Sequence, residues 1–261
     1  MNIVDNYKFR ENIIKKQFKE ALGYELNLEN PKTFNEKIQW LKLYYHNPLI
    51  TKCADKFKVR DYIKEKIGEE YLIPLIGVWD KVEDIDFNSL PKQFVLKVNW
   101  GSGQNIIVKD KSKLNIEETK NKLNGWLKPF SNHYYYSYEW QYKDIEPKII
   151  CEKFMKNKAF DNLTVYKIFC ILSKPYMFQV ILDDKTENEK INYYDLNWNK
   201  LELKQNFENF DYNLNKPEQL DKMIELAKEL SKDFKYFVRV DLFEIENKIY
   251  FSEFTFYTDN G

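Results

Sequence analysis

The sequence predicts an α+β fold with helices first and an antiparallel sheet last. Three observations carry this. Ile3, Val4, Tyr7, Ile13, Ile14, Phe18 and Leu22 recur at near-helical spacing. After Tyr71 the texture changes to short apolar runs bounded by Pro, Gly and Asp, such as Leu72–Trp79 and Phe94–Asn99. The chain closes with the apolar runs 237–245 and 248–256 around Glu246-Asn247, a turn pair.

Taken in order, the first helix covers 3–22 and stops at Gly23. Pro31-Lys-Thr-Phe-Asn-Glu starts a second, with Thr33 as cap and Glu36 as its capping-box partner. Phe34, Ile38, Leu41 and Tyr45 form its apolar face. A third helix is expected from Ala54 to Lys66, stopped by Gly68. Strands follow at 72–79, 94–99 and 105–109, then a helix at 116–128. Residues 132–146 are aromatic and of mixed period, a weakly helical stretch. A strand is expected at 148–155, and a hairpin at 166–172 and 176–182 turning at Ser173-Lys174-Pro175. Leu220, Met223, Ile224, Ala227 and Leu230 define a helix over 217–232.

Composition narrows the function classes. The apolar fraction of 43% is enough for a core. Basic and acidic side chains balance at 41 each, so there is no basic excess to neutralise phosphates, and no nucleic-acid partner is expected. Aromatics reach 17% beside abundant Lys, Asn and Ile, which reads as lineage bias before it reads as a stacking surface. Cys53, Cys151 and Cys170 lack CxxC spacing and read as incidental or buried thiols of a reducing compartment. The N-terminus is too charged for a signal peptide, and no apolar run reaches the ~18–20 residues of a membrane span. A cytoplasmic protein is expected, with peripheral attachment at the inner face of the membrane left open.

Chemistry concentrates in a few places. In the run 94–108, Lys97 ends a strand and Gly101-Ser102-Gly103 turns into the next. Glycines let backbone N–H groups approach a polyanion, and Lys97 adds a point charge. The same residues also make an ordinary hairpin turn, and this is not a Walker A sequence. In 237–256, Arg239 and Asp241 share one strand face, as do Glu253 and Thr255 on the next strand. Two carboxylates close together in an apolar hairpin need a cation, a shared proton or a basic neighbour. Mg²⁺ suits them, and Arg239 suits a phosphoryl group. A surface ion pair is the plain alternative. The basic residues of 54–68 read as a solvated helix face. His46 and His133 read as surface or packing residues.

In sequence order these pieces resemble an ATP-grasp enzyme, and more closely its TupA-like, teichuronopeptide-biosynthesis branch. The carrying runs are PKTFNEKIQWLKLY, DKFKVRDYIKEKIGEEYLIPLIGVWD, FVLKVNWGSGQNIIVKDKSKL, EWQYKDIEPKIICEKF and FVRVDLFEIENKIYFSEFTF. The resemblance implies two α+β subdomains gripping ATP between sheets, behind an N-terminal helical extension. The regions are 1–70, a small subdomain with the flexible Gly-rich loop at 71–147, and a C-terminal subdomain with the metal hairpin at 148–261. It implies that Lys56, following Asp55 at a helix start, and Lys97 are the grasp lysines, with Gly101, Ser102 and Gly103 covering phosphate. It casts Glu152, Lys153, Phe154 and Met155 as the hinge strand at adenine, and Asp161 as the ribose carboxylate. Asp241 and Glu253 become the Mg²⁺ ligands, with Arg239 and Lys97 in the catalytic roles.

The implied reaction is an ATP-dependent carboxylate–amine ligation through an acylphosphate. Its partners are a small-molecule or polysaccharide-linked carboxylate and an amine or amino acid, in cell-surface polysaccharide synthesis. A kinase or glycosyltransferase-like enzyme of the same pathway, and a non-catalytic nucleotide binder, remain the alternatives. Three departures bear on catalysis. Trp100 stands where the family usually has His, Val165 where a strand usually begins with Asp, and Thr255 where many ATP-grasp enzymes have Asn. The chain ends at Gly261, where relatives continue, so completeness of the acceptor pocket stays open.

Overall fold

The computed structural model describes residues 7–156, 164–182, 187, 189–205, 207–212 and 214–261. The chain divides into two compact units, each built from discontinuous segments. Unit 1 comprises Met1–Phe57, Gly77–Cys151 and Tyr257–Gly261, and unit 2 comprises Lys58–Ile76 and Glu152–Phe256.

Unit 1 opens with α1 (Tyr7–Leu22), α2 (Phe34–Tyr44) and α3 (Pro48–Ala54). The expected capping box is present: Thr33 accepts from the Glu36 N–H, and the Glu36 carboxylate accepts from the Thr33 N–H. Ile14 and Phe18 of α1 pack with Leu26, Leu28 and Leu43. The expected helix over Ala54–Lys66 is instead two elements. α3 ends at Ala54, and α4 (Val59–Lys66) begins after a turn. Asp55 breaks the helix: its backbone is extended (φ −74°, ψ 111°) and its carboxylate accepts from the Phe57 N–H at 2.8 Å. Asp is a helix breaker when its side chain bonds nearby N–H groups in this way.

The four-stranded sheet has the order β1 (Leu75–Trp79), β4 (Ile149–Lys153), β2 (Phe94–Val98), β3 (Asn105–Val108), with β2 and β3 antiparallel. In unit 1, Phe94 and Leu96 of β2 and Ile149 and Cys151 of β4 pack against Val82, Ile85 and Leu90. Leu123 of α5 (Ile116–Trp126) closes this core. The aromatic stretch after α5 holds only one turn of helix, α6 (Tyr134–Ser137), and a 3₁₀ turn at Trp140–Tyr142.

Unit 2 is organised on a six-stranded sheet of order β10-β9-β5-β6-β7-β8, antiparallel at every pairing. The strands are β5 (Val165–Ile171), β6 (Lys174–Leu182), β7 (Lys190–Asp195), β8 (Lys200–Leu201), β9 (Phe237–Ile245) and β10 (Lys248–Thr255). The β9–β10 turn is where the sequence puts it, with Glu246 and Asn247 both left-handed (φ 51° and 61°), the geometry a two-residue hairpin demands. The β5–β6 turn falls on Leu172 and Ser173 rather than at 173–175, and Pro175 lies inside β6. β7 and β8 have no counterpart in the sequence reading, because polar residues flank a single short apolar run.

α7 (Leu220–Ser231) buries Leu220, Met223, Leu226, Ala227 and Leu230 and packs on β5, β6 and β9. The Cys170 thiol lies 3.8 Å from the Ala227 carbonyl, so α7 covers the sheet face that carries Cys170, Val238 and Val240. Burial pushes that thiol up to about 12. All three cysteines are buried, and none forms a disulfide. Among the described residues, no helix is long and apolar enough to cross a membrane.

Candidate functional site

The opposite face of the six-stranded sheet carries a row of charged and polar residues. Across successive strands, Glu253 lies opposite Asp241, Asp241 opposite Lys167, Lys167 opposite Gln179, and Gln179 opposite Tyr193. One register shift creates the first of these pairings. Counted from the turn, Ile245 pairs Lys248 and Leu242 pairs Phe251, so Asp241 would meet Ser252. A β-bulge between Phe251 and Glu253 skips Ser252 and sets Glu253 opposite Asp241. Bulges re-aim side chains at such points.

Arg239, two residues along on the same face, clasps Asp241 with two parallel bonds. Nε and Nη2 donate to Oδ1 and Oδ2, each at 2.8 Å. Nη2 also donates to Thr255 Oγ1 at 2.9 Å. Arg239 is 6% exposed and Asp241 1%, so this is a buried pair and not a surface one. The bidentate geometry is what guanidinium offers and lysine cannot.

These residues suit a magnesium ion. Each Asp241 oxygen has two lone pairs and gives one to Arg239, which leaves acceptor capacity. Glu253 in the facing position adds a second hard-oxygen donor. Mg²⁺ is bound by one or two carboxylates and completes its shell with water and phosphate. Among the described residues, no group of three or more His, Cys, Asp and Glu could form a fuller protein cage.

Unit 2 also contains the proposed hinge residues. Glu152 is buried near the end of β4, Lys153 is exposed, and Phe154 and Met155 are half-buried. The Lys153 N–H donates to the Pro74 carbonyl at 2.9 Å. Glu152 is paired with Arg60 of α4, Nη1 to Oε1 at 3.3 Å, and Arg60 Nη2 donates to the Ile73 carbonyl at 3.0 Å. Asp161 lies outside the described residues.

In unit 1, Lys56 sits in the turn between α3 and α4, not at a helix start. Its Nζ donates to the Gly101 carbonyl at 2.8 Å, which ties it to the glycine turn. Its own N–H donates to the Asn99 carbonyl at 3.1 Å. Asn99, fully buried, is the organising residue here: Nδ2 donates to Asp55 Oδ1 and to the Glu146 carbonyl, and Oδ1 accepts from the Lys148 N–H. Lys97 is half-buried in β2, opposite Asn105. Gly101 is buried while Ser102 and Gly103 are exposed, and Gly103 has φ +72°, a left-handed turn position favouring glycine. Trp100 is 4% exposed, and its indole N–H donates to the Trp126 carbonyl at 3.1 Å, so it packs rather than presenting an edge. The histidines also pack: His46 lies 4.4 Å from the Trp140 ring, and His133 Nε2 lies 3.1 Å from Glu139 Oε1.

Within unit 2 the structure brings together Arg239, Asp241 and Glu253, and within unit 1 Lys56 and Gly101. Arg60, Lys167 and Asn99 are absent from the sequence-based set. Lys167 carried a signal, a lone charge inside the apolar run Val165–Ile171. Arg60 carries none, since it is one of several charged residues, with Asp61, Lys64, Glu65 and Lys66, on a short helix.

The sequence matches the model of the TupA-like ATP-grasp family over residues 36–261. No curated protein matches it. The fold is similar to an ADP complex of N5-carboxyaminoimidazole ribonucleotide synthetase, with TM-score 0.52, 13% identity, and coverage of 97% of this chain and 57% of that one. It is also similar to an L-amino acid ligase from Bacillus licheniformis, with TM-score 0.50, 12% identity, and coverage of 97% and 54%. A D-alanine–D-alanine ligase from Bacillus anthracis complexed with ATP aligns with TM-score 0.48, 15% identity, and coverage of 93% and 72%. The chain thus spans little more than half the length of the first two. With the family match running from α2 to the last residue, the chain belongs to the TupA-like ATP-grasp family.

Proposed function

We propose that this chain binds MgATP and uses it to join a carboxylate to an amine through an acylphosphate. The buried Arg239–Asp241 clasp with half-buried Glu253 facing it on one sheet face is the observation that carries the reading. A buried arginine–aspartate pair is costly, and with a second carboxylate set to face it the arrangement is best explained by a ligand that uses both. Bound Mg²⁺ would neutralise phosphate charge as a Lewis acid.

The chain's own residues then have distinct tasks. Asp241 and Glu253 hold the metal. Arg239 orients Asp241 and stabilises charge on the transferring phosphoryl group. Lys167, opposite Asp241, adds positive charge to the same row. In unit 1, Lys56, Lys97 and the turn Gly101-Ser102-Gly103 are assigned to phosphate. Glu152, Lys153, Phe154 and Met155 are assigned to the base, and Asp161 to the ribose. An oxygen of the substrate carboxylate attacks the γ-phosphorus and ADP leaves. The amine nitrogen then attacks the acyl carbon, phosphate leaves and a proton is lost, giving the amide. No side-chain nucleophile is needed, in keeping with histidines that serve packing. The family resemblance alone supports a role in cell-surface polysaccharide synthesis, with a uronic-acid carboxylate and an amino acid or amine as substrates.

Calorimetry with MgATP and product analysis test this reading. The expected result is saturable MgATP binding, with ADP and phosphate released only when both carboxylate and amine are supplied. A stable phosphorylated acceptor would mean a kinase. Binding without turnover on any such pair would mean a non-catalytic nucleotide binder. No binding at millimolar nucleotide would overturn the reading.

A further inference from the structure

Arg60 is a half-buried cation without a task in the proposed reaction. Its side chain is 15% exposed and that of its partner Glu152 is 8% exposed. The two lie in a closed ring within unit 2. Arg60 Nη1 donates to Glu152 Oε1, and Nη2 donates to the Ile73 carbonyl. The next residue, Pro74, accepts from the N–H of Lys153, which follows Glu152. Just upstream, Leu72 bridges Phe251 of β10. One guanidinium therefore fixes both a side chain and the backbone segment beside it. A planar fork with charge on every donor is suited to such a double hold.

Resting on the nucleotide reading above, which assigns Glu152 to the base, we propose that Arg60 is a positioning residue that sets base choice. Arg60 holds the Glu152 carboxylate in one orientation, where it presents acceptor oxygens. An acceptor matches the exocyclic amino group of adenine, a donor. Guanine presents an oxygen in the corresponding place, and two acceptors repel. Without Arg60 the carboxylate is buried without its cation and loses its fixed direction. Nucleotide discrimination should then fall, beyond any loss of stability.

The test measures MgATP and MgGTP affinity by calorimetry for the intact chain and for R60M, R60K, E152Q and the R60M/E152Q double variant, with circular dichroism as the folding control. The wild type should prefer ATP. R60M should weaken ATP about tenfold or more while changing GTP little, since the lost contact is to an amino group only ATP has. E152Q should narrow the ratio similarly, because an amide can also donate to guanine. R60K should keep part of the preference, and the double variant should add little to either single change. R60M with unchanged ATP affinity and unchanged ratio would overturn the role of Arg60 and leave the nucleotide reading standing. A wild type that binds neither nucleotide would overturn both. If R60M does not fold, R60K and E152Q decide, and an unaltered ratio in both overturns the proposal.

Discussion

Two cations in each unit are held in contrasting ways. In unit 2, Arg239 and Arg60 are each locked on a buried carboxylate, Asp241 and Glu152. In unit 1, Lys56 donates to the Gly101 carbonyl, and Lys42 to the carbonyl and side-chain amide oxygen of Asn260. A charge clasped by a carboxylate is spent on geometry. Lys42, whose ammonium is buried on amide oxygens, instead has an incentive to lose its proton. Unit 2 thus resembles a preformed frame, and the glycine turn of unit 1 a part that a polyanion can reorganise.

The largest expected effect breaks the clasp. Arg239→Met leaves Asp241 buried without its bidentate partner and should cost about 3–5 kcal/mol of stability, read as a fall in the urea midpoint. A shift no greater than that of a surface substitution would show that the pair is not the frame described above.

Next comes the metal. Asp241→Asn with Glu253→Gln retains shape and should keep the fold while reducing the magnesium-dependent part of ATP affinity or turnover on the order of a hundredfold. The comparison of affinities with and without Mg²⁺ is the readout. Equal magnesium dependence in variant and wild type would remove both ligands from the site.

The third prediction concerns Lys42, which is 2% exposed. Burial depresses it from its ordinary 10.5 to about 8, against the opposing pull of Glu139. Below pH 8 folded and unfolded chains both carry the proton, so the burial cost is felt in full. Between about 8 and 10.5 the unfolded chain binds more protons, and stability contributed by this site rises with pH. The difference in unfolding free energy between wild type and Lys42→Met should therefore move in favour of wild type across that window. A pH-independent difference would show that Lys42 is not a buried ammonium.

The smallest effect belongs to the glycine turn. Lys56→Met removes the hydrogen bond to the Gly101 carbonyl, a bond whose loss costs about 0.5–1.5 kcal/mol. It should weaken nucleotide binding by more than that. Equal losses in stability and affinity would erase the contrast between the units.

Much of this was legible locally. The capping box at Thr33 and Glu36, the turn at Glu246-Asn247 and the α7 face are short-range patterns, and each appears where its residues put it. Periodicity predicts one helix over 54–66 because it continues through Asp55, but the Asp55 side chain captures the Phe57 N–H and receives Asn99 from the end of β2. Arg60 is hidden in the sequence for a related reason. Its helix alternates basic and acidic residues, and only the fold selects which of those cations meets Glu152, 92 positions away.

By itself the sequence determined the helices, the hairpins and the ordered set of runs that places the chain in its family, because these depend on neighbours within a few residues. Tertiary structure decided what the charges do. Period-two counting from the hairpin turn sets Ser252 opposite Asp241, and a bulge moves Glu253 there instead. Burial turns Arg239–Asp241 from a surface pair into a clasp, and sheet register brings Lys167 alongside. Register, bulges and burial are properties of strands packed together, and no single run of residues contains them.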